Sequence, residues 1–355
     1  HWLDGLKLRA SYGVIGNQNI NPYTFTPSMS VNNKATSWII DDTYVTSISS
    51  LPALVSQNFT WEKVGTINVG LDVNLFNNRL SGVFEWYQRN TNGMLAPGVQ
   101  LPAVVGASAP YQNTADMRTR GWELSLNWRD QIGKVGYRIG FNLSDYKSEI
   151  IKYDDNAATK LLSSYYPGQT LGEIWGYVVD GYYTVDDFVD TSSWQLKEGV
   201  TSINGYNVRP GDVKFKNLRD DDTSTNVITS GDNTFDNPGD RKVIGNTTPR
   251  YQYGINLGMN YAGFDLNVIL QGTGKRDYWI SNVLTFPMNG DNFVPLFEGL
   301  SDYWMPKDPD NGDWSAVNPN AKYPRIYGNR GNSGSNLRQS DKYLSDASYL
   351  RIKNI

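Results

Sequence analysis

The sequence predicts an all-β protein, an antiparallel transmembrane β-barrel segment of about eight strands carrying long extracellular loops. Three observations predict it. Apolar residues recur at every second position over unusually long segments, and the connections between these segments alternate between short and long. No stretch approaches the roughly 20 consecutive apolar residues of a spanning helix, so a closed barrel is the remaining way to satisfy every backbone group in lipid.

The alternation is clearest in GWELSLNWR, where Trp122, Leu124, Leu126 and Trp128 interleave with Glu123, Ser125, Asn127 and Arg129. After a polar turn, Tyr137, Ile139, Phe141 and Leu143 interleave with Arg138, Gly140, Asn142 and Ser144, which predicts a hairpin. In TINVGLDVNLF, Ile67, Val69, Leu71, Val73 and Leu75 oppose Thr66, Asn68, Gly70, Asp72 and Asn74. Its partner follows FNNR and sets Leu80, Phe84 and Trp86 against Ser81, Glu85 and Arg89. The segment YQYGINLGMNY is apolar on its odd-numbered face from Tyr251 to Tyr261, then turns at Ala262-Gly263 into FDLNVILQG. That face is about 33 Å long, or about 25 Å high at a tilt of about 40°, the height of an apolar membrane band. LKLRASYGV and YLRIKNI complete the set.

Short turns join 60–76 to 79–91, 118–129 to 135–148, and 249–261 to 264–276, whereas 15–59, 92–117, 149–248 and 277–345 are long connections. Antiparallel neighbours reverse direction, so this alternation gathers the short turns at one end and the long loops at the other. The whole of 1–355 therefore reads as one partial barrel domain, with 149–248 and 277–345 as extracellular loops within it. Phe76, Trp128, Tyr137, Tyr261 and Phe264 sit beside the short turns, as an interfacial aromatic girdle would. Periodicity alone also admits a soluble β-sandwich whose apolar face packs against a second sheet.

Composition narrows the function. A net charge of -4 with no Lys/Arg run argues against a nucleic-acid binder. With no Cys and one His, at position 1, the Ser-His-Asp and Cys-His arrangements are unavailable, and no catalytic residue is nominated. The chain starts without Met and stops inside an alternating run, which reads as an internal segment of a longer protein.

Several phrases, taken in order, resemble the SusC/RagA family of TonB-dependent outer-membrane transporters. They are LKLRASYGVIGNQNI, WEKVGTINVGLDVNLFNNRLSGVFEWYQRNTNGML, RTRGWELSLNWR, PGDVKFKNL, KVIGNTTPRYQYGINLGMNYAGFDLNVILQGTG, NPNAKYPRI and DASYLRIKNI. The resemblance implies a Gram-negative outer-membrane barrel of 22 strands. It also implies a plug and a TonB-contacting segment that meets the TonB-ExbB-ExbD complex, both lying before this chain, and final strands after it. A SusD-like lipoprotein would form the lid, and the expected activity is import of oligosaccharides or peptides. The readings that compete are a soluble β-sandwich carbohydrate-binding module and a passive porin.

Two groups of side chains are candidates for contact with a solute. Asp72, Glu85, Arg89, Glu123, Arg129 and Arg138 fall on the face that would line the lumen, where hydrated polar residues are expected in any case. Tyr165, Tyr166, Trp175, Tyr177, Tyr182, Tyr183, Trp194, Trp279, Trp304 and Trp314 lie in the long loops, where flat rings suit sugar or apolar side chains but also serve loop packing. After PGDVKFKNL, where the family often carries an acidic, glycine-containing turn like a calcium loop, Asp220, Asp221, Asp222 and Asp240 keep charge while the glycine spacing is gone. That segment reads first as a solvated acidic loop and second as a calcium site, and no other cofactor is expected.

Overall fold

The computed structural model describes residues 2–18, 26–27, 31–32, 39–40, 43–44, 48–49, 52, 54–56, 60–219, 226–281, 297–327 and 334–355. The chain divides into two compact units. One comprises 1–171, 251–272 and 350–355, and the other comprises 172–250 and 273–349.

The first unit is built on an eight-stranded sheet: β1 (Leu3–Asn17), β2 (Glu62–Leu75), β3 (Leu80–Pro97), β4 (Tyr111–Ile132), β5 (Val135–Tyr153), β6 (Arg250–Tyr261), β7 (Phe264–Lys275) and β8 (Tyr349–Asn354). Spatial order follows chain order, and the ladders from β1–β2 through β5–β6 are all antiparallel. This is a meander, in which each strand pairs with the next.

The turns explain the tight ends. Ala262 and Gly263 both have positive φ, 49° and 85°, as a two-residue hairpin turn matched to strand twist requires. Between β2 and β3, Phe76, Asn77 and Asn78 all adopt left-handed φ, which the two asparagines accept readily. At the other end the strands run further than their alternation shows. β3 continues to Pro97 and β4 begins at Tyr111, so the connection placed at 92–117 shrinks to 98–110. Register shifts at Thr91/Met94 and Asp116/Met117, with Gly93 at φ 67°, break the period of two there without ending the ladder.

Register turns the sequence pattern into two faces. Leu8, Leu71, Phe84, Leu124, Leu143 and Tyr253 stand in one cross-strand row from β1 to β6. Nearer the turns, Leu6, Val73, Gly82, Leu126, Phe141 and Ile255 form a second row, and Leu75, Leu80, Trp128, Ile139 and Leu257 a third. Leu6, Leu8, Leu71, Phe84, Ile139 and Leu257 are exposed, Leu8 by 75%, and the others except the buried Gly82 are half-buried between their strand neighbours. Among the described residues, both buried hydrophobic clusters belong to the second unit, and the apolar face of the sheet has no second layer against it. A soluble sandwich would bury that face. At the turn end Phe76 and Trp128 pack with ring centroids 6.2 Å apart, and Trp128 Nε1 donates to Tyr137 Oη at 3.3 Å.

The two longest connections, 154–249 and 276–348, are not irregular. Most of their described length forms the second unit, held by two-stranded ribbons such as Glu173–Tyr177 with Arg241–Asn246 and Val179–Tyr182 with Val213–Phe215.

The two faces make opposite demands on a charge. In the full-length protein in lipid, Leu124→Arg is expected to cost about 2–4 kcal/mol of folding stability as a lipid-facing substitution. Ser125→Arg, one residue on and on the polar face, is expected to cost about 0.5 kcal/mol. Urea unfolding midpoints in the same bilayer measure both, and equal losses would refute the assignment of faces.

Candidate functional site: a polar wall and a folded aromatic loop unit

On the polar face of the sheet, Arg9 organises the first cluster. Its Nε and Nη2 donate to the two carboxylate oxygens of Asp72 at 2.9 and 2.7 Å, and Nη2 also donates to Glu85 at 2.8 Å. In the register Arg9 faces Gly70, and Gly70 faces Glu85. A Cβ on Gly70 would lie 2.9 Å from Arg9 Nη2, so the missing side chain is what lets the guanidinium lie flat across β2 and bind a carboxylate two strands away. The same device recurs on β6, where Arg138 lies over Gly258 and reaches Asn267 Oδ1 on β7 at 3.2 Å. On β4 the Tyr87 ring covers Gly121.

All six lumen candidates share this face. Glu123 stands opposite Glu85 and Ser144, Arg89 opposite Thr66 and Thr119, and Arg129 opposite Arg138. A depression of about 530 Å³ is lined by Asn127, Arg129, Arg138, Gly140, Asn256 and Asn267, together with Trp128 and Ile139. Sequence reading missed Arg9 and Tyr87. Arg9 stands in the alternating run LKLRASYGV on the side of Lys7 and Ser11, and that parity was the available signal.

The loop aromatics separate into groups. Tyr165 and Tyr166 belong to the sheet unit; Tyr166 is buried, while Tyr165 is exposed and meets Tyr153 edge-on at 5.9 Å. In the loop unit Tyr177 and Tyr183 are core, packed with Phe188, Ile203, Val208, Val213, Phe215 and Ile228. Tyr183 is 0% exposed, donates its hydroxyl to Thr201 O at 2.6 Å, and has its pKa pushed up by burial. Tyr182, also raised by burial, donates to Ala321 O at 2.9 Å under the Lys342 ammonium. Trp279 packs against a second cluster of Leu300, Tyr323 and Tyr343; Trp304 is buried; and Trp175 meets Phe235 edge-on at 6.2 Å.

Two of the ten come together. Trp194 and Trp314 are half-buried and meet edge-to-face at 5.1 Å, with Phe188 behind Trp194 at 5.3 Å. The Arg325 guanidinium stacks over Trp314 at 4.9 Å and over Tyr327 at 5.1 Å, and Arg209 lies over Trp194 at 5.8 Å. Trp194 is held at φ 55° just after Asp190, whose carboxylate accepts from the backbone and hydroxyls of Ser192 and Ser193. Those bonds, the Ser193 N–H foremost, hold Asp190 well below the usual carboxylate range. The arrangement offers aromatic edges and delocalised cations, which suit ring stacking and hydrogen bonding. It holds no activated nucleophile.

The ladder ends on a buried carboxylate. Asp212 accepts from Tyr327 Oη at 2.7 Å, Asn336 Nδ2 at 2.9 Å and Arg209 N at 2.7 Å, while Asn336 Oδ1 accepts from Val213 N at 2.8 Å. Gly211, at φ 89°, packs its backbone against Trp304 and Arg325, where a Cβ would collide. PGDVKF is thus a structural knot of the loop unit, and Asp212, Tyr327 and Asn336 were not singled out by sequence reading. Asp240, the one acidic-loop candidate within the described residues, is buried and accepts from Leu218 N and Thr229 N at 3.0 and 2.8 Å. Asp220, Asp221 and Asp222 lie outside the described residues.

An exposed apolar face, an opposed polar face, tight turns at one end of the strands and folded loops in the long connections define the wall of an outer-membrane-type β-barrel. No family model matches the chain. It is 28% identical over 364 residues to TonB-dependent receptor P3 of Formosa agariphila, covering 98% of this chain and 32% of that protein. It is 25% identical over 364 residues to TonB-dependent receptor SusC of Bacteroides thetaiotaomicron, covering 99% and 31%. Among solved structures, the RagAB peptide importer in its open-open state matches with a TM-score of 0.69 at 23% identity, over 99% of this chain and 33% of that one. The likeness to the SusC/RagA family read from the sequence therefore holds over nearly the whole chain, which spans about a third of the length of the curated relatives it matches.

Burial holds the Asp212 pKa above its ordinary value of 3.8, against the lowering effect of Tyr327, Asn336, Arg209 N and Arg325. A carboxyl raised in the folded state supports folding most below 3.8 and progressively less as pH rises through the raised value. Hydrogen-exchange protection of the loop unit in the full-length protein is expected to fall over that window. Asp212→Asn is expected to remove the slope and to cost about 1–3 kcal/mol, because its amide meets the Asn336 amide donor to donor. A slope that persists in the variant would refute the assignment.

Proposed function

We propose that the protein is a SusC-like, TonB-dependent importer of the Gram-negative outer membrane, with this chain forming a stretch of its barrel wall and the loop unit serving the solute side. The observation that carries the proposal is the uncovered apolar face backed by a continuous polar one: a solvent of acyl chains on one side and a solute passage on the other account for both. TonB linked to ExbB-ExbD supplies the energy, and a SusD-like lipoprotein forms the lid. The relatives named as TonB-dependent receptors and the solved RagAB importer support this reading. It makes the protein a binding and translocation device rather than an enzyme.

The cargo is an oligosaccharide or a peptide. Trp194, Trp314, Arg325 and the exposed Tyr165 are the loop groups whose exposure and chemistry suit either one.

Two measurements test the proposal. The full-length protein is expected to require detergent or lipid to remain monodisperse, and a monodisperse aqueous form would refute the barrel. Uptake of its nutrient is expected to collapse on deletion of the TonB system; undiminished uptake would leave a passive porin.

A further inference from the structure

Above the apolar rows, on the same face and toward the long connections, the side chains change character. Trp86 and Trp122 stand opposite one another in β3 and β4. The next row on that face is Gln88, Arg120 and Lys147, where Arg120 faces both of the others. Arg120 and Lys147 are exposed. Arg120 Nε donates to Gln88 Oε1 at 2.8 Å, which fixes the guanidinium and leaves its Nη groups available. Neither cation has a carboxylate partner among the described residues.

The neighbouring charges on this face do not supply one. Glu149 is paired in register with Arg118 one row further toward the loops. Asp145, one row toward the turns, is buried and accepts from Tyr251 N at 3.4 Å. Like charges directly opposed across strands are destabilising, so an anion bridging them would be stabilised in turn. The position is equally informative. Arg120 lies eight residues from the turn-side rim at Trp128, about 26 Å along the strand and about 20 Å along the normal at a tilt of about 40°, close to the ~25 Å band of such barrels. The cations thus sit where acyl chains give way to headgroups.

We propose that Arg120 and Lys147, seated above the Trp86–Trp122 edge, bind the phosphate of an anionic lipid headgroup on the loop side of the bilayer. The site lies on the face of the sheet opposite Glu85, Glu123 and Arg138. It rests on the barrel reading.

The test is lipid retention by the detergent-purified full-length protein, counted by native mass spectrometry with phosphatidylglycerol, diphosphorylated lipid A or phosphatidylcholine as probe. Arg120→Gln with Lys147→Gln is expected to lower retention of both anionic lipids by about thirtyfold, the order for two cations at a membrane surface, and to leave phosphatidylcholine unchanged. Arg120→Lys, which keeps the charge, is expected to retain them, and millimolar inorganic phosphate is expected not to displace them. Unchanged anionic retention in the double variant overturns the site while leaving the barrel intact. Equal loss of phosphatidylcholine, displacement by free phosphate, or loss of a co-purifying protein with lipid retained also overturns it. A protein that binds no lipid and is monodisperse without detergent overturns both readings.

Discussion

The constraint on which everything else depends is the apolar face of the Leu8-to-Tyr253 row and its neighbours, which no second layer covers among the described residues and which the proposed barrel turns toward an apolar layer of lipid. A backbone crossing such a layer has no water to bond, so each strand must pair completely with the next. That demand accounts for the meander, because a strand paired with its sequence neighbour leaves no gap. It accounts for the uninterrupted registers of β2–β3 and for β4–β5, where the ladder continues past its bulge instead of ending there. The period of two then follows, since alternate side chains of a pleated strand cannot avoid pointing into different solvents.

The polar face solves a second problem with the same pleat. Long cations and tyrosines on neighbouring strands compete for space over a surface whose strands lie about 4.8 Å apart. Gly70, Gly121 and Gly258 remove side chains beneath Arg9, Tyr87 and Arg138, so these lie flat across the wall. Glycine inside a strand weakens it as a packing element, yet here the covering side chain restores the contact. The glycines that dilute the alternation in the sequence are therefore part of how the wall presents its charge.

Much of the wall was legible because it obeys one rule per residue. Leu71 and Asp72 declare opposite faces by parity alone, and Ala262-Gly263 declares a hairpin by its φ requirements. What escaped were departures from the rule. The extension of β3 to Pro97 hides behind the Thr91/Met94 shift, and Tyr251, at φ 53°, leaves the regular register to begin at Gln252 rather than at the first tyrosine of the run. The loop unit was hardest to read, because Tyr177 and Tyr183 look like surface rings in a polar segment until Val213 and Phe215 arrive from some thirty residues away to enclose them. Asp212 was hidden for the same reason, since two of its partners, Tyr327 and Asn336, come from the other long connection.

That last arrangement bears on how the loops can work. Two long connections that leave different strand pairs share one buried carboxylate and one aromatic–arginine ladder, while each builds its own hydrophobic cluster. Ordering so many residues carries a large entropy cost, which the cluster inside each connection and the contacts between the two offset together. The ladder and the carboxylate join them, and the half-buried Trp194 and Trp314 are then held by Asp190, Phe188 and Arg325 rather than left to sample many rotamers. In the proposed cargo role, rings already fixed in place would lose less entropy on binding than free ones, so the cluster behind Trp194 would contribute to recognition without touching a ligand.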